Sequence, residues 1–298
     1  MIEPNAITLA QGDERSIARA ISWVENRHPL ALNLLKTLNG DSTVIGITGP
    51  PGAGKSSLVN ALVNLWSDEN QRIAIVAVDP SSVFNFGSLL GDRLRMQSLF
   101  LKPNVYIRSV SSRGSLGGLS GSIIEIIEVL KQSKFDKIVI ETVGVGQSEV
   151  EIAGVADTTI VVSVPESGDE IQTLKSGVME IADIFVVNKS DRDGADTFAS
   201  HLRKLAHSRA TKNWECAVVL TNALAKEGVQ ELSDQIQKHH NFNLQKDRKV
   251  HLLAEKAFKL IQQHKMKEIL LSDIEKQIDQ ELDKPEFNLF QFVEKFYF

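Results

Sequence analysis

Val44-Ile45-Gly46-Ile47-Thr48-Gly49-Pro50-Pro51-Gly52-Ala53-Gly54-Lys55-Ser56-Ser57 decides the fold. Its first five residues read as a buried strand. The periodicity of Leu58, Val59, Ala61 and Leu62 reads as a helix opening directly behind the glycines. Strand, glycine-rich loop ending in Lys-Ser, and helix together make a phosphate-binding loop. The chemistry accounts for the spacing. Glycines let successive backbone N–H groups curl around an anion with no Cβ in the way, and the new helix aims its positive end at the same charge. Gly52, Ala53, Gly54, Lys55, Ser56 and Ser57 are the expected phosphate-binding residues, with Lys55 reaching the outer phosphates and Ser56 offering its hydroxyl to Mg²⁺. The chain is expected to be a nucleoside triphosphatase.

Outward from this loop, further apolar runs stand at residues 72–78, 105–107, 137–140, 159–162, 184–187 and 217–220, with helical stretches between most of them. Short β-branched runs alternating with helices predict an α/β fold, a mainly parallel sheet flanked by helices. Ligands of such sheets sit beyond the carboxyl ends of the strands, so the polar residues there carry the function. Residues 1–40 read as a helical extension. Asp13 caps a helix bearing Ile17, Ile21 and Val24, and a second helix runs from Ala31 to Leu38 with Gly40 ending it. The phosphate-loop domain is expected over 41–245, and a second helical extension over 246–298, a candidate for dimerisation. Its last twelve residues hold five of the chain's 13 phenylalanines, so this aromatic tail either folds back on the domain or meets a second copy.

The chain has 298 residues, 42% hydrophobic and 24% charged, with a net charge of −5. These values lie in the ordinary globular range and disfavour a nucleic-acid surface. No apolar run reaches the roughly 18 residues of a membrane span, and no secretory signal is visible; a cytoplasmic protein without membrane contact is expected. The single Cys216 excludes an intramolecular disulfide and reads as an inert core residue. His239-His240 reads as a solvated pair near a helix end.

Asn188-Lys189-Ser190-Asp191 follows the apolar run 184–187 directly. After a phosphate loop and a strand, Asn-Lys-x-Asp is the guanine-reading element of GTPases. The Asp191 carboxylate accepts from the guanine N1–H and exocyclic amine, a pattern adenine lacks. Lys189 lies along the base, Asn188 ties the loop together, and Asn222 and Ala223 after the last strand stand where a backbone N–H meets guanine O6. Asp79 ends the second strand, either as a metal-linked carboxylate or as a turn former before Pro80. Glu141 stands at the metal-linked position of the fourth run, and Gly144 offers its N–H to the γ-phosphate. Val145 stands where many GTPases carry a water-orienting glutamine, which predicts slow intrinsic hydrolysis completed by a partner.

Val78-Asp79-Pro80-Ser81-Ser82, Gly87 to Met96, Ser112 to Gly118, Glu141-Thr142-Val143-Gly144-Val145-Gly146-Gln147-Ser148-Glu149 and Gly168-Asp169-Glu170-Ile171-Gln172 resemble the methylmalonyl-CoA mutase-associated GTPases of MeaB type. The resemblance implies a G-protein chaperone in which GTP gates adenosylcobalamin loading into an acyl-CoA mutase and protects or reactivates it. Adenosylcobalamin then belongs to the client. A cobalamin adenosyltransferase is a further implied partner, and the chain is implied to be a homodimer. Ser56, Asp79, Asp92 and Glu141 match the Mg²⁺ and water network, Arg95 the first switch, Gly144 to Glu149 the second, and Pro165 to Lys175 a third that meets the mutase through Asp169 and Lys175. Phe84-Asn85-Phe86 departs from the family's usual Thr-Gly pair, and Asn222 from its commoner Ser. A metal-insertion GTPase of nickel-enzyme type and a regulatory GTP-binding module with little turnover remain as alternatives.

Overall fold

In the computed structural model the described residues are 3–79, 97–111, 119, 122–142, 148–168, 180–208, 214–243, 246–266, 269, 271–282 and 287–296. Each apolar run forms a strand: β1 (Thr43–Thr48), β2 (Ile73–Asp79), β3 (Val105–Ser111), β4 (Lys137–Glu141), β5 (Thr158–Ser163), β6 (Ile184–Asn188) and β7 (Ala217–Thr221). They make one sheet in the order β3-β2-β4-β1-β5-β6-β7, and every pairing is parallel. The strand that precedes the glycine loop is therefore central, with Ile47 in register with Glu141 on one side and Ile160 on the other. The chain leaves β1 toward one edge and, after β4, crosses to the other. The carboxyl ends of β1 and β4 thus lie where the strand order reverses, the usual place for a ligand crevice.

Both faces of the sheet are covered. On one face Ile45, Ile47, Ile160 and Val186 pack with Leu58, Leu62 and Trp66 of the helix behind the glycine loop, and with Leu232 and Ile236 of another helix. On the other, Val161, Phe185 and Val187 pack with Ala195, Phe198 and Leu202. Neighbours such as Phe185 and Val186 fall in opposite clusters because successive strand residues point to opposite faces. Each fully buried side chain of this size contributes about 1.5–3 kcal/mol. The helices are α1 (Ala6–Ala10), α2 (Glu14–Glu25), α3 (Ala31–Leu35), α4 (Lys55–Asp68), α5 (Ile123–Gln132), α6 (Ser148–Glu151), α7 (Ala195–Ser208), α8 (Val229–Asn243), α9 (Lys246–Lys265), α10 (Leu271–Glu281) and α11 (Leu289–Glu294). No helix among the described residues is long and apolar enough to cross a membrane.

Asp13 does cap α2: its Oδ2 accepts from Ser16 N at 2.8 Å, and hydrogen bonding to Ser16 holds its carboxyl below the usual range. Ile17, Ile21 and Val24 are buried. The second helix is shorter than the sequence suggests, ending at Leu35 rather than near Gly40. Thr37 N and Thr37 Oγ1 both donate to Leu34 O, at 2.9 and 2.7 Å, and so divert the chain into a turn. Helix α1, absent from the sequence reading, is announced by a capping box: Asn5 Oδ1 accepts from Thr8 N, and Thr8 Oγ1 from Asn5 N.

Two compact units are present, Met1–Leu253 and Ala254–Phe298. Within the second, Phe292 is 3% exposed, with the rings of Phe287 and Phe296 at 6.3 and 5.6 Å. Part of the aromatic tail thus packs on itself, while Phe290 is 79% exposed.

Cys216 and His239 stand elsewhere than the sequence suggests. Cys216 is half-buried at the margin of a core cluster rather than within it. His239 is not solvated but fully buried. Its Nδ1 pairs with Thr158 Oγ1 at 2.8 Å and its Nε2 with Asp183 Oδ1 at 3.1 Å, while Trp214 lies against the ring at 4.5 Å. The histidine thereby joins α8 to the amino-terminal ends of β5 and β6. His239→Ala should lower stability by about 2–4 kcal/mol, from lost hydrogen bonding and a cavity. Denaturant unfolding checks this, and an unchanged midpoint would make the cluster incidental.

Candidate functional site

The glycine loop runs from the end of β1 to the start of α4. Gly54 is the N-cap of α4 with φ +85°, a left-handed conformation that disfavours a side chain. Lys55 is buried, and its Nζ donates to Gly49 O at 2.7 Å and Pro50 O at 3.0 Å, which brings the ammonium back over the loop. Ser56 Oγ donates to Glu141 Oε1 at 2.6 Å, and both residues are 8% exposed. A hydroxyl at the first turn of a helix and a carboxylate at the end of the neighbouring strand thus share one buried spot. Beside them Thr142 Oγ1 donates to Thr48 Oγ1 at 2.9 Å, a link between β1 and the end of β4 that the sequence reading did not single out. Ser57 is half-buried on α4, Gly52 is exposed and Ala53 is buried.

The Asn188–Asp191 loop closes on the glycine loop from the side of β6. Asn188, 2% exposed, donates through Nδ2 to Ala53 O at 2.9 Å. Its Oδ1 accepts from Thr221 Oγ1 at 3.1 Å and Ala223 N at 3.2 Å. Lys189, at φ +58°, donates through Nζ to Gly52 O at 2.9 Å. Asn222 N donates to Glu227 O at 3.1 Å. The N–H groups of Asn222 and Ala223 therefore have protein acceptors and brace the loop. Asp191 is exposed at the loop's turn. Three chain segments far apart in sequence thus meet at the carboxyl ends of β1, β6 and β7, with Asn188 bonded to the other two.

Gly54 makes this closure possible, since a Cβ there would come within 2.3 Å of Asn188 Nδ2. Gly54→Ala combines backbone strain with that clash. We expect a loss of about 1–3 kcal/mol in stability and about tenfold or more in GTP affinity. A thermal melt and a nucleotide titration check both, and wild-type values in each would mean the contact is dispensable.

Asp79 ends β2, with its side chain outside the described residues. Asp92 and Gly144 also lie outside them, as do Phe84-Asn85-Phe86, Arg95, Val145, Gln147, Asp169 and Lys175. Glu141 and Ser56 are the members of the expected metal set that the structure places together.

A central parallel sheet with a lysine-bearing phosphate loop, bridged by Asn-Lys-x-Asp, defines the class: a P-loop GTPase. Residues 17–278 match the family described as methylmalonyl Co-A mutase-associated GTPase MeaB. The chain belongs to that family and is a GTPase. It is 41% identical to a Pyrococcus abyssi chain provisionally named a GTPase, over 96% of this chain and 89% of that one. It is 35% identical to the Caenorhabditis elegans methylmalonic aciduria type A homolog, mitochondrial, over 76% of this chain and 62% of that protein. The crystal structure of an LAO/AO transport system kinase superposes with a TM-score of 0.69 at 25% identity, covering 98% of this chain and 94% of that one.

Proposed function

We propose that this GTPase is a G-protein chaperone for an adenosylcobalamin-dependent acyl-CoA mutase, methylmalonyl-CoA mutase or a close relative. GTP binding and hydrolysis gate cofactor loading and protect or reactivate the client. The observation that carries this reading is the family match over residues 17–278, whose description couples a GTPase to that mutase. Adenosylcobalamin is bound by the client and not by this chain. A cobalamin adenosyltransferase is the further partner, and the cytoplasm is the proposed compartment.

Within the site, Gly52 to Ser57 bind the phosphates, Lys55 stabilises charge on the transferring phosphoryl group, and Asp191 reads guanine. Asn188, Lys189, Asn222 and Ala223 hold the base loop. The donor set suits Mg²⁺, because the Ser56 hydroxyl and Glu141 carboxylate are hard oxygens converging beside the phosphate loop. Asp79 and Asp92 complete the proposed set. When bound, Mg²⁺ neutralises charge on the β- and γ-phosphate oxygens. Gly144 presents its N–H to the γ-phosphate.

A homodimer through the C-terminal helices is part of the proposal. Within the second unit, helix α9 carries Phe258 and Ile261, each more than half exposed, an apolar pair that suits a second copy.

The reading is tested by GTP turnover with and without purified mutase. The chain alone should turn over well below the order of 10 s⁻¹ typical of enzymes, and the mutase should raise the rate. Fast isolated turnover, or no response to any cobalamin mutase, would contradict it.

A further inference from the structure

The loop bearing Asp191 is fastened on its inner side by Asn188 and Lys189. Its outer side carries Arg192, whose Nη1 donates to Glu166 Oε1. Glu166 lies in the 3₁₀ turn Pro165–Gly168 that follows β5. Strands β5 and β6 are paired from Ile160↔Ile184 to Ser163↔Val187, so this turn and the base loop emerge side by side. The ion pair bridges two neighbouring strand ends. The Arg192 hydrogen bond holds the Glu166 carboxyl below its usual range, and Lys189 adds a smaller attraction. Along the backbone, Arg192 N donates to Lys189 O at 3.0 Å and Ala195 N to Arg192 O at 3.3 Å. Asp191 is enclosed by the first of these turns.

We propose that Arg192 is a positioning residue for guanine recognition. By pairing with Glu166 it fixes the outer limb of the loop, so that the neighbouring Asp191 carboxylate meets both guanine donors, the ring N1–H and the exocyclic amine. This rests on the reading of Asp191 as the guanine reader. The pair is half exposed, with side-chain exposures of 48% for Arg192 and 51% for Glu166, so its strength is that of a surface ion pair and falls with salt.

The test compares GTP with inosine triphosphate, which keeps the N1–H and lacks the exocyclic amine. In Arg192→Ala the preference for GTP should shrink by about two- to fivefold, with the loss in KM rather than kcat. Arg192→Lys should restore most of it. Glu166→Ala should reproduce the loss, and the double variant should lose no more than either single one. Asp191→Asn is measured alongside. If it exchanges GTP for xanthosine triphosphate while Arg192→Ala keeps the wild-type ratio, or if the two single losses add, the positioning role is overturned and the base reading stands. If Asp191→Asn changes no preference, both are overturned.

Discussion

Lys55→Ala is expected to all but abolish GTP hydrolysis, with turnover falling by at least about 10²–10³-fold. Lys55 opens α4, is 7% exposed, and turns its ammonium back onto Gly49 O and Pro50 O. That places a buried positive charge at the mouth of the loop, where the proposed function puts the phosphate chain. Charge on the transferring phosphoryl oxygens is stabilised by fixed cations and N–H groups rather than by covalent chemistry, so losing one cation removes a large share of the rate enhancement. The measurement is single-turnover hydrolysis at saturating GTP, with a thermal melt to show that the variant is folded. Near-normal turnover in a folded variant would mean that the loop does not bind phosphate as described.

The second large effect is a change of nucleotide. Asp191→Asn should weaken GTP binding by about 10³-fold or more and favour xanthosine triphosphate, whose C2 carbonyl oxygen replaces the exocyclic amine and can accept from the new amide. The expectation depends on a loop that keeps its place when Asp191 changes. Asn188 bonds to Ala53, Thr221 and Ala223, and Lys189 to Gly52, and none of these contacts uses the Asp191 carboxylate. Unchanged GTP affinity, read by equilibrium titration of both nucleotides, would remove Asp191 from the base site.

The sheet was legible because buried parallel strands are continuous apolar runs, and all seven strands stand where such runs occur. The glycine loop and the Asn188–Asp191 loop stood out because each has residue types in a fixed spacing beside a strand. Ser56 and Glu141 were each singled out by position relative to a strand end, while their direct hydrogen bond is seen only in the fold. His239 was not legible. Its partners Thr158 and Asp183 sit at the starts of other strands, and only the folded sheet brings them to α8. The early end of α3 was hidden because Leu38 continues the apolar period while the Thr37 side chain takes the Leu34 carbonyl. The short α1 has too few residues to show a period, and only its Asn5 and Thr8 cap marked it. The Arg192–Glu166 pair was hidden for the same reason as His239: it joins loops adjacent only through β5 and β6.

The most direct test of the mutase-chaperone reading is a pull-down from the native cell with this chain as bait, loaded with a non-hydrolysable GTP analogue or with GDP. The account predicts recovery of an adenosylcobalamin-dependent acyl-CoA mutase in an amount that depends on the nucleotide. Recovery of nickel-enzyme maturation factors in place of a mutase would contradict it.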